Sequence, residues 1–354
     1  MKGTERLHAA GQSLWLDYIS RDLLDSGTLK RYIDEFSVTG LTSNPTIFDQ
    51  AIKNTTAYAA AIRRRLRDST SAEELFFGIA LEDISRAAEL FQRIHERTNR
   101  VDGWVSLELS PLLAHDTARS VSGARQLFER AGLQNLFIKI PGTKEGLGVI
   151  EESIFAGIPV NVTLLFSREQ YLAAADAYLR GIERRIAAGL NPEVASVASV
   201  FISRWDVAVA KRVSPQLRDR LGIAMGKRIY TAFTGLISSD RSRRLYNFGA
   251  RPQRLLWAST GTKNPEAPKT LYAAALAAPF TVNTMPEDTL NAVAASSHPI
   301  DWLPAHGGQT EEVFAQFAKE GIDVAALADQ LQDEGAKSFI TSWNDLMQVI
   351  EKQL

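Results

Sequence analysis

Eight short runs of apolar and β-branched residues recur along the chain, separated by longer segments with helical spacing. They are SLWLDYI (13–19), FSVTGLTSN (36–44), WVSLELS (104–110), LFIKIPG (136–142), VNVTLLF (160–166), VASVFIS (197–203), RLLWAST (254–260) and PFTVNT (279–284). Strands that alternate with helices form βαβ units, whose strands pair in parallel. Eight such units in a chain of 354 residues point to an α/β fold closed as a single (β/α)8, or TIM, barrel. An open, doubly wound sheet is the competing arrangement. No low-complexity segment, proline-rich linker or charge block divides the sequence, so one barrel domain over 1–354 is expected.

The spacers support this reading. Ser71 and Glu74 have capping-box spacing ahead of Phe76, Ala80, Ile84, Ala87, Phe91 and Ile94, which step along one helical face. Ser167 and Gln170 repeat the pattern before Leu172, Ala175, Leu179, Ile182 and Ile186, with Gly189 as the stop. Residues 45–103 are too many for one crossover and are expected to add helices after strand 2. The segment beyond about 285 adds more, ending in KSFITSWNDLMQVIEKQL.

With 45% hydrophobic residues, the chain has ample material for a large core. Forty basic and 41 acidic side chains nearly cancel, so no net field recruits nucleic acid or an anionic membrane. The absence of cysteine excludes thiolate nucleophiles and thiolate-held metals. The N-terminus lacks the apolar core of a signal peptide, and no run approaches the ~18 apolar residues of a membrane span. A cytoplasmic protein is expected.

In a barrel, chemistry collects at the C-terminal ends of the strands. There the sequence offers Asp17, Asn44, Glu108, Lys139, Asn161, Thr163, Ser199, Arg204, Ser259 and Lys263. Each has a plain structural alternative. Asp17 could cap a helix, Asn44 before Pro45 could make an Asx turn, and Arg204 could form an ion pair. The combination says more. Glu108 and Lys139 both interrupt apolar strands, and burying a charge without a partner costs several kcal/mol. They could be a structural ion pair, or a catalytic amine with its acid/base. A desolvated lysine near another cation becomes a neutral nucleophile toward carbonyl carbon. Arg204 and Lys263 would give the pocket an anion-binding end. The residues alone therefore favour a carbonyl-lysine enzyme that uses no metal or other cofactor and acts on a phosphorylated small molecule.

Other signals are weak. GTKEGLG (142–148) lacks Walker order and reads as a tight βα turn. His115-Asp116 reads as a helix start, and the five histidines show no metal-binding spacing.

Several blocks, in order, resemble the transaldolase family. They are GLTSNPTIF (40–48), SLELSPLLAHDT (106–117), NLFIKIPGTKEGL (135–147), GIPVNVTLLFS (157–167), SVASVFISRWD (196–206), LLWASTGTKNP (255–265) and TVNTMPEDTL (281–290). The WASTGTKNP segment is similar to the longer bacterial form. The resemblance implies a Schiff-base barrel of the non-oxidative pentose phosphate pathway. It would move a dihydroxyacetone unit from sedoheptulose 7-phosphate or fructose 6-phosphate to glyceraldehyde 3-phosphate or erythrose 4-phosphate. By that resemblance Lys139 is the amine that bonds the ketose C2, and Asp17 the acid/base at the C4 hydroxyl. Glu108, with Thr163 and a water, handles protons of the carbinolamine. Asn44, Asn161 and Ser199 hold hydroxyls of the three-carbon unit, and Arg204, Ser259 and Lys263 bind phosphate. Phe201 stands where related fructose-6-phosphate aldolases have Tyr, which favours transfer over hydrolysis. A Schiff-base aldolase and a non-catalytic sugar-phosphate binder are the alternatives. Sugar phosphates are the expected partners, and the oligomer a monomer or homodimer.

Two departures stand out. Lys263 occupies a loop where other branches have Arg, and lysine lacks the guanidinium fork. YAAALAAP (272–279) is alanine-rich where relatives carry acidic residues, and is expected to alter a helix surface rather than catalysis.

Overall fold

The computed structural model describes residues 1–54, 57–66, 71–298 and 300–352. All eight strands form, as β1 (Ser13–Leu16), β2 (Val38–Leu41), β3 (Trp104–Glu108), β4 (Leu136–Pro141), β5 (Val160–Leu165), β6 (Ser196–Phe201), β7 (Arg254–Ala258) and β8 (Val282–Met285). Each pairs in parallel with its sequence neighbour, and β8 closes on β1. The open sheet is thereby ruled out. Several strands stop short of the expected run. Asp17, Asn44 and Ser259 lie just past the ladder, where the chain turns toward the site.

The interior of the barrel is filled by aromatic rings near its N-terminal end. Phe137 stacks on Trp104 at 4.2 Å between centroids and lies 6.1 Å from Trp15. Trp15 fits because residue 40 is glycine. A Cβ there would lie 2.7 Å from both Trp15 Nε1 and the Trp104 carbonyl oxygen. This plug makes the C-terminal half of the barrel a cup with a solid floor.

The expected helices are present. Ser71 Oγ accepts the Glu74 N–H at the start of Ala72–Arg97, and all six apolar residues read on its face are buried. Ser167 and Gln170 form the reciprocal box that opens Arg168–Ala187, and Gly189 follows its end at φ +69°. That helix buries Tyr171, Ala174 and Tyr178 beside Ala175, Leu179 and Ile182, while Leu172 is exposed. The buried face is thus turned from the one read off the sequence. Thr143 caps Lys144–Ala156 directly after β4, so GTKEGLG is a βα turn, and Asp116 caps Thr117–Ala131.

The added helices after β2 are Pro45–Asn54, Ala59–Arg65 and Ala72–Arg97. After β8 come Glu287–Ala295, Glu311–Lys319 and the long C-terminal helix Val324–Glu351. This last helix returns across the barrel mouth. Trp343 packs edge-on to Phe76 at 5.1 Å, and Ser342 Oγ lies 2.7 Å from Thr46 Oγ1.

The alanine-rich segment differs from expectation. Tyr272, Ala273, Leu276, Ala277 and Ala278 are buried, so most of it is interior rather than helix surface. Tyr272 donates its hydroxyl to buried Asp206 at 2.9 Å, which draws the segment inward. Small side chains suit that close packing.

Candidate active site

Register places Glu108, Lys139 and Asn161 level with one another on β3, β4 and β5. All three are buried. Lys139 Nζ lies 3.2 Å from Glu108 Oε2 and donates to the Ser43 carbonyl at 2.9 Å. Despite that proximity, Oε2 has no hydrogen-bond partner of acceptable geometry among the described residues. Burial pushes the Glu108 carboxyl above its ordinary value; Lys139 opposes the shift and Asp17 adds to it. A carboxyl so placed readily holds a proton.

Above this layer is a cavity of about 220 Å³ at the C-terminal mouth. Of the residues singled out from the sequence, Asp17, Asn44, Lys139, Thr163, Ser199, Phe201, Arg204, Ser259 and Lys263 line it. Glu108 and Asn161 do not. Glu108 sits beside Lys139, facing a separate small space, and Asn161 is fully buried. The Asn161 amide donates to Ser106 Oγ at 3.1 Å and accepts from Ser199 Oγ at 2.6 Å. Its contact with the cavity runs through Ser199.

Asp17 follows β1 and accepts from Thr42 Oγ1 at 2.7 Å, and Thr42 in turn lies 2.7 Å from Thr284 Oγ1. Burial pushes its carboxyl up, opposed by Lys139, the Thr42 hydroxyl and Lys263. Asn44 has a structural duty as well: its Oδ1 accepts the Ile47 N–H at 3.0 Å, the turn role open to it from the start.

Thr163 stands at an irregularity in β5, where the pairing with β6 shifts between Val162 and Leu165. Leu164 has φ +59°, a left-handed conformation costly for a branched side chain. Thr163 shares the face of Asn161, two residues earlier, and lines the cavity; its Oγ1 has no partner among the described residues. Gln332 of the C-terminal helix holds the bulge by donating to the Leu164 carbonyl at 2.9 Å and the Gly142 carbonyl at 3.1 Å.

The opposite wall carries positive charge. Arg204 lies over the Phe201 ring at 5.2 Å, and no hydrogen bond joins it to a described residue. Burial lowers its guanidinium pKa, with Glu334 opposing, so an anion in the cavity would offset the cost of its charge. Ser259, at φ +54°, brings its hydroxyl within 2.9 Å of Ser203 Oγ. Lys263 is exposed at the rim.

The strand-end reading missed Thr42, Thr284, Ser43, Ser203 and Phe339. The threonines were visible as hydroxyls at the ends of β2 and β8. Ser43 acts through its carbonyl and Phe339 through tertiary packing, and neither leaves a local sequence signal. A larger groove of about 680 Å³ on the outer surface, near Arg228 and His306, has no comparable chemistry. Arg228 there is already paired with Glu311.

The family model described as transaldolase/fructose-6-phosphate aldolase matches residues 14–350. The chain belongs to this family. Proteins named transaldolase from Thermobifida fusca and Saccharopolyspora erythraea are 42% and 40% identical to it. The alignments cover 99% of this chain and 98% and 97% of those relatives. A transaldolase from Thiobacillus denitrificans is 41% identical over 98% of this chain and 99% of its own length. As a member of this family the chain is an enzyme. No helix among the described residues is long and apolar enough to cross a membrane.

Proposed function

We propose that this chain is a transaldolase of the pentose phosphate pathway, working through an imine at Lys139. It takes dihydroxyacetone from sedoheptulose 7-phosphate or fructose 6-phosphate and gives it to erythrose 4-phosphate or glyceraldehyde 3-phosphate. The observation that carries this reading is a buried lysine at the base of a strand-end cavity. It has a buried carboxyl at 3.2 Å, pushed above its ordinary value by burial, and an open hydroxyl, Thr163, in the wall above.

The neutral amine attacks the ketose C2 carbonyl, and the carbinolamine oxygen must leave as water. Glu108 and Thr163 are the groups available to move those protons. The protonated imine then draws electrons from the C3–C4 bond. Asp17 accepts the C4 hydroxyl proton, the bond breaks, and an aldose phosphate departs while an enamine remains on Lys139. The enamine carbon attacks an acceptor aldehyde, and Asp17 returns its proton to the new hydroxyl. Arg204, Ser259 and Lys263 form the anion-binding wall for the phosphate. Asn44 and Ser199 present polar atoms to the three-carbon unit, with Asn161 orienting Ser199 from below.

Transfer requires that the enamine outlast the departure of the aldose. Fructose 6-phosphate alone is expected to give about one equivalent of glyceraldehyde 3-phosphate per site and then stall. Erythrose 4-phosphate should restore continuous turnover. Steady release of dihydroxyacetone without an acceptor would instead make the chain an aldolase.

A further inference from the structure

Two cavities adjoin the Lys139–Glu108 pair, and a single side chain borders both. The open one at the barrel mouth has Lys139, Thr163 and Arg204 in its wall. The other is small, about 20 Å³, and lies beside Glu108 among Leu109, Pro111, Ile140, Val149 and Leu164. Phe339 is the residue common to the two linings. A space of that size holds about one water molecule, and buried Glu108, Ser110 and Ser120 supply polar edges to a largely apolar lining.

The placement of Phe339 is built in. Its ring centroid is 5.9 Å from Lys139 Nζ, and the residue is 5% exposed. The helix that carries it is fastened on both sides. Gln332 grips the Leu164 and Gly142 carbonyls, and Trp343 is wedged against Phe76 and Phe77. Residue 335 is glycine, and a Cβ there would meet Leu164 Cδ2 at 2.9 Å and Arg204 Nη1 at 3.3 Å. The helix therefore lies as near the site as backbone allows.

We propose that Phe339 is a specificity-determining residue, a partition that keeps water off the Lys139-bound intermediate and so favours transfer over hydrolysis. This rests on the imine reading given above. Hydrolysis consumes one water. The enamine carbon takes a proton to restore the imine, and the water oxygen adds to the imine carbon. The C–N bond then breaks, leaving free Lys139 and dihydroxyacetone. An aromatic ring that borders both spaces, 5.9 Å from the amine, removes one approach for that water. Phe201 lines only the open cavity, so the two rings guard different sides.

The test compares Phe339→Ala and Phe339→Leu with wild type in the full-length enzyme. Each is given fructose 6-phosphate with and without erythrose 4-phosphate, and borohydride trapping reports the imine. Phe339→Ala is expected to raise the ratio of dihydroxyacetone release to transfer by roughly five- to tenfold while the Lys139 adduct still forms. Phe339→Leu should restore most of the wild-type ratio. If both rates fall together and the ratio is unchanged, Phe339 is only structural and the proposal is overturned. If wild type itself shows no adduct at Lys139, the imine reading fails and this inference falls with it.

Discussion

At the N-terminal end of the barrel, Arg254 and Asp102 are buried as deeply as Lys139 and Glu108 are at the C-terminal end. The ingredients match, but the bonding does not. Arg254 donates to Ser13 Oγ at 2.7 Å and to the Thr281, Val101 and Phe280 carbonyls. Asp102 accepts from the Ser13 hydroxyl, from Trp15 Nε1 at 2.8 Å and from its neighbour's N–H at 3.1 Å. Ser13 thus links base to acid, and the network ties β1, β7 and the entries to β3 and β8 together. At the other end, Lys139 makes one hydrogen bond, to the Ser43 carbonyl, while Glu108 Oε2 and Thr163 Oγ1 have no partner among the described residues. A saturated polar cluster holds a fold together; one with spare donors and acceptors is set to engage a ligand.

The two ends should respond differently to loss of their cation. Arg254→Ala should cost about 3 to 5 kcal/mol in urea unfolding, because it strands buried carbonyls and removes the positive charge that offsets buried Asp102. Activity per folded molecule should remain close to wild type. Lys139→Ala should abolish turnover yet cost far less stability, because Glu108, pushed up by burial, can take a proton when its partner is gone. Equal destabilisation by both would remove the distinction.

A smaller effect concerns Asp206, which anchors the helix bearing Arg204. It accepts from the Leu221 and Gly222 backbone N–H groups and from the Tyr272 hydroxyl. Burial, only partly offset by those bonds, pushes its carboxyl up to about 6. Because the shift is upward, its contribution is greatest at low pH and is lost as pH rises through about 6. Relative to Asp206→Asn, wild type should therefore lose about 3 kcal/mol between pH 4 and 8, the size of that shift. A flat difference across that range would contradict the assignment. Smaller again is Gln332→Ala, expected to cost about 1 kcal/mol for lost hydrogen bonds to the β5 bulge. It should also slow imine formation several-fold through Thr163.

Much of this was legible from periodicity and from polar residues interrupting apolar runs. Lys139 and Glu108 stood out because nothing else in their strands resists burial, and their register makes them neighbours. What stayed hidden depends on tertiary contact. Strand ends were read too long because Asp17 and Ser259 continue the local pattern while leaving the ladder. Phe339 looked like one apolar residue in a terminal helix, since only the path of that helix over the mouth brings it to the site. The burial of Tyr272 and its neighbours likewise follows from Asp206, about 66 positions earlier in the chain.

If the unsaturated end of the barrel does the chemistry, it does so through Lys139. Reduction with borohydride in the presence of fructose 6-phosphate, followed by peptide mass mapping, tests it most directly. A reduced three-carbon or six-carbon adduct on Lys139 is expected, absent from Lys139→Ala and still formed by Asp17→Ala. An adduct on another lysine, or an active enzyme that traps nothing, would contradict it.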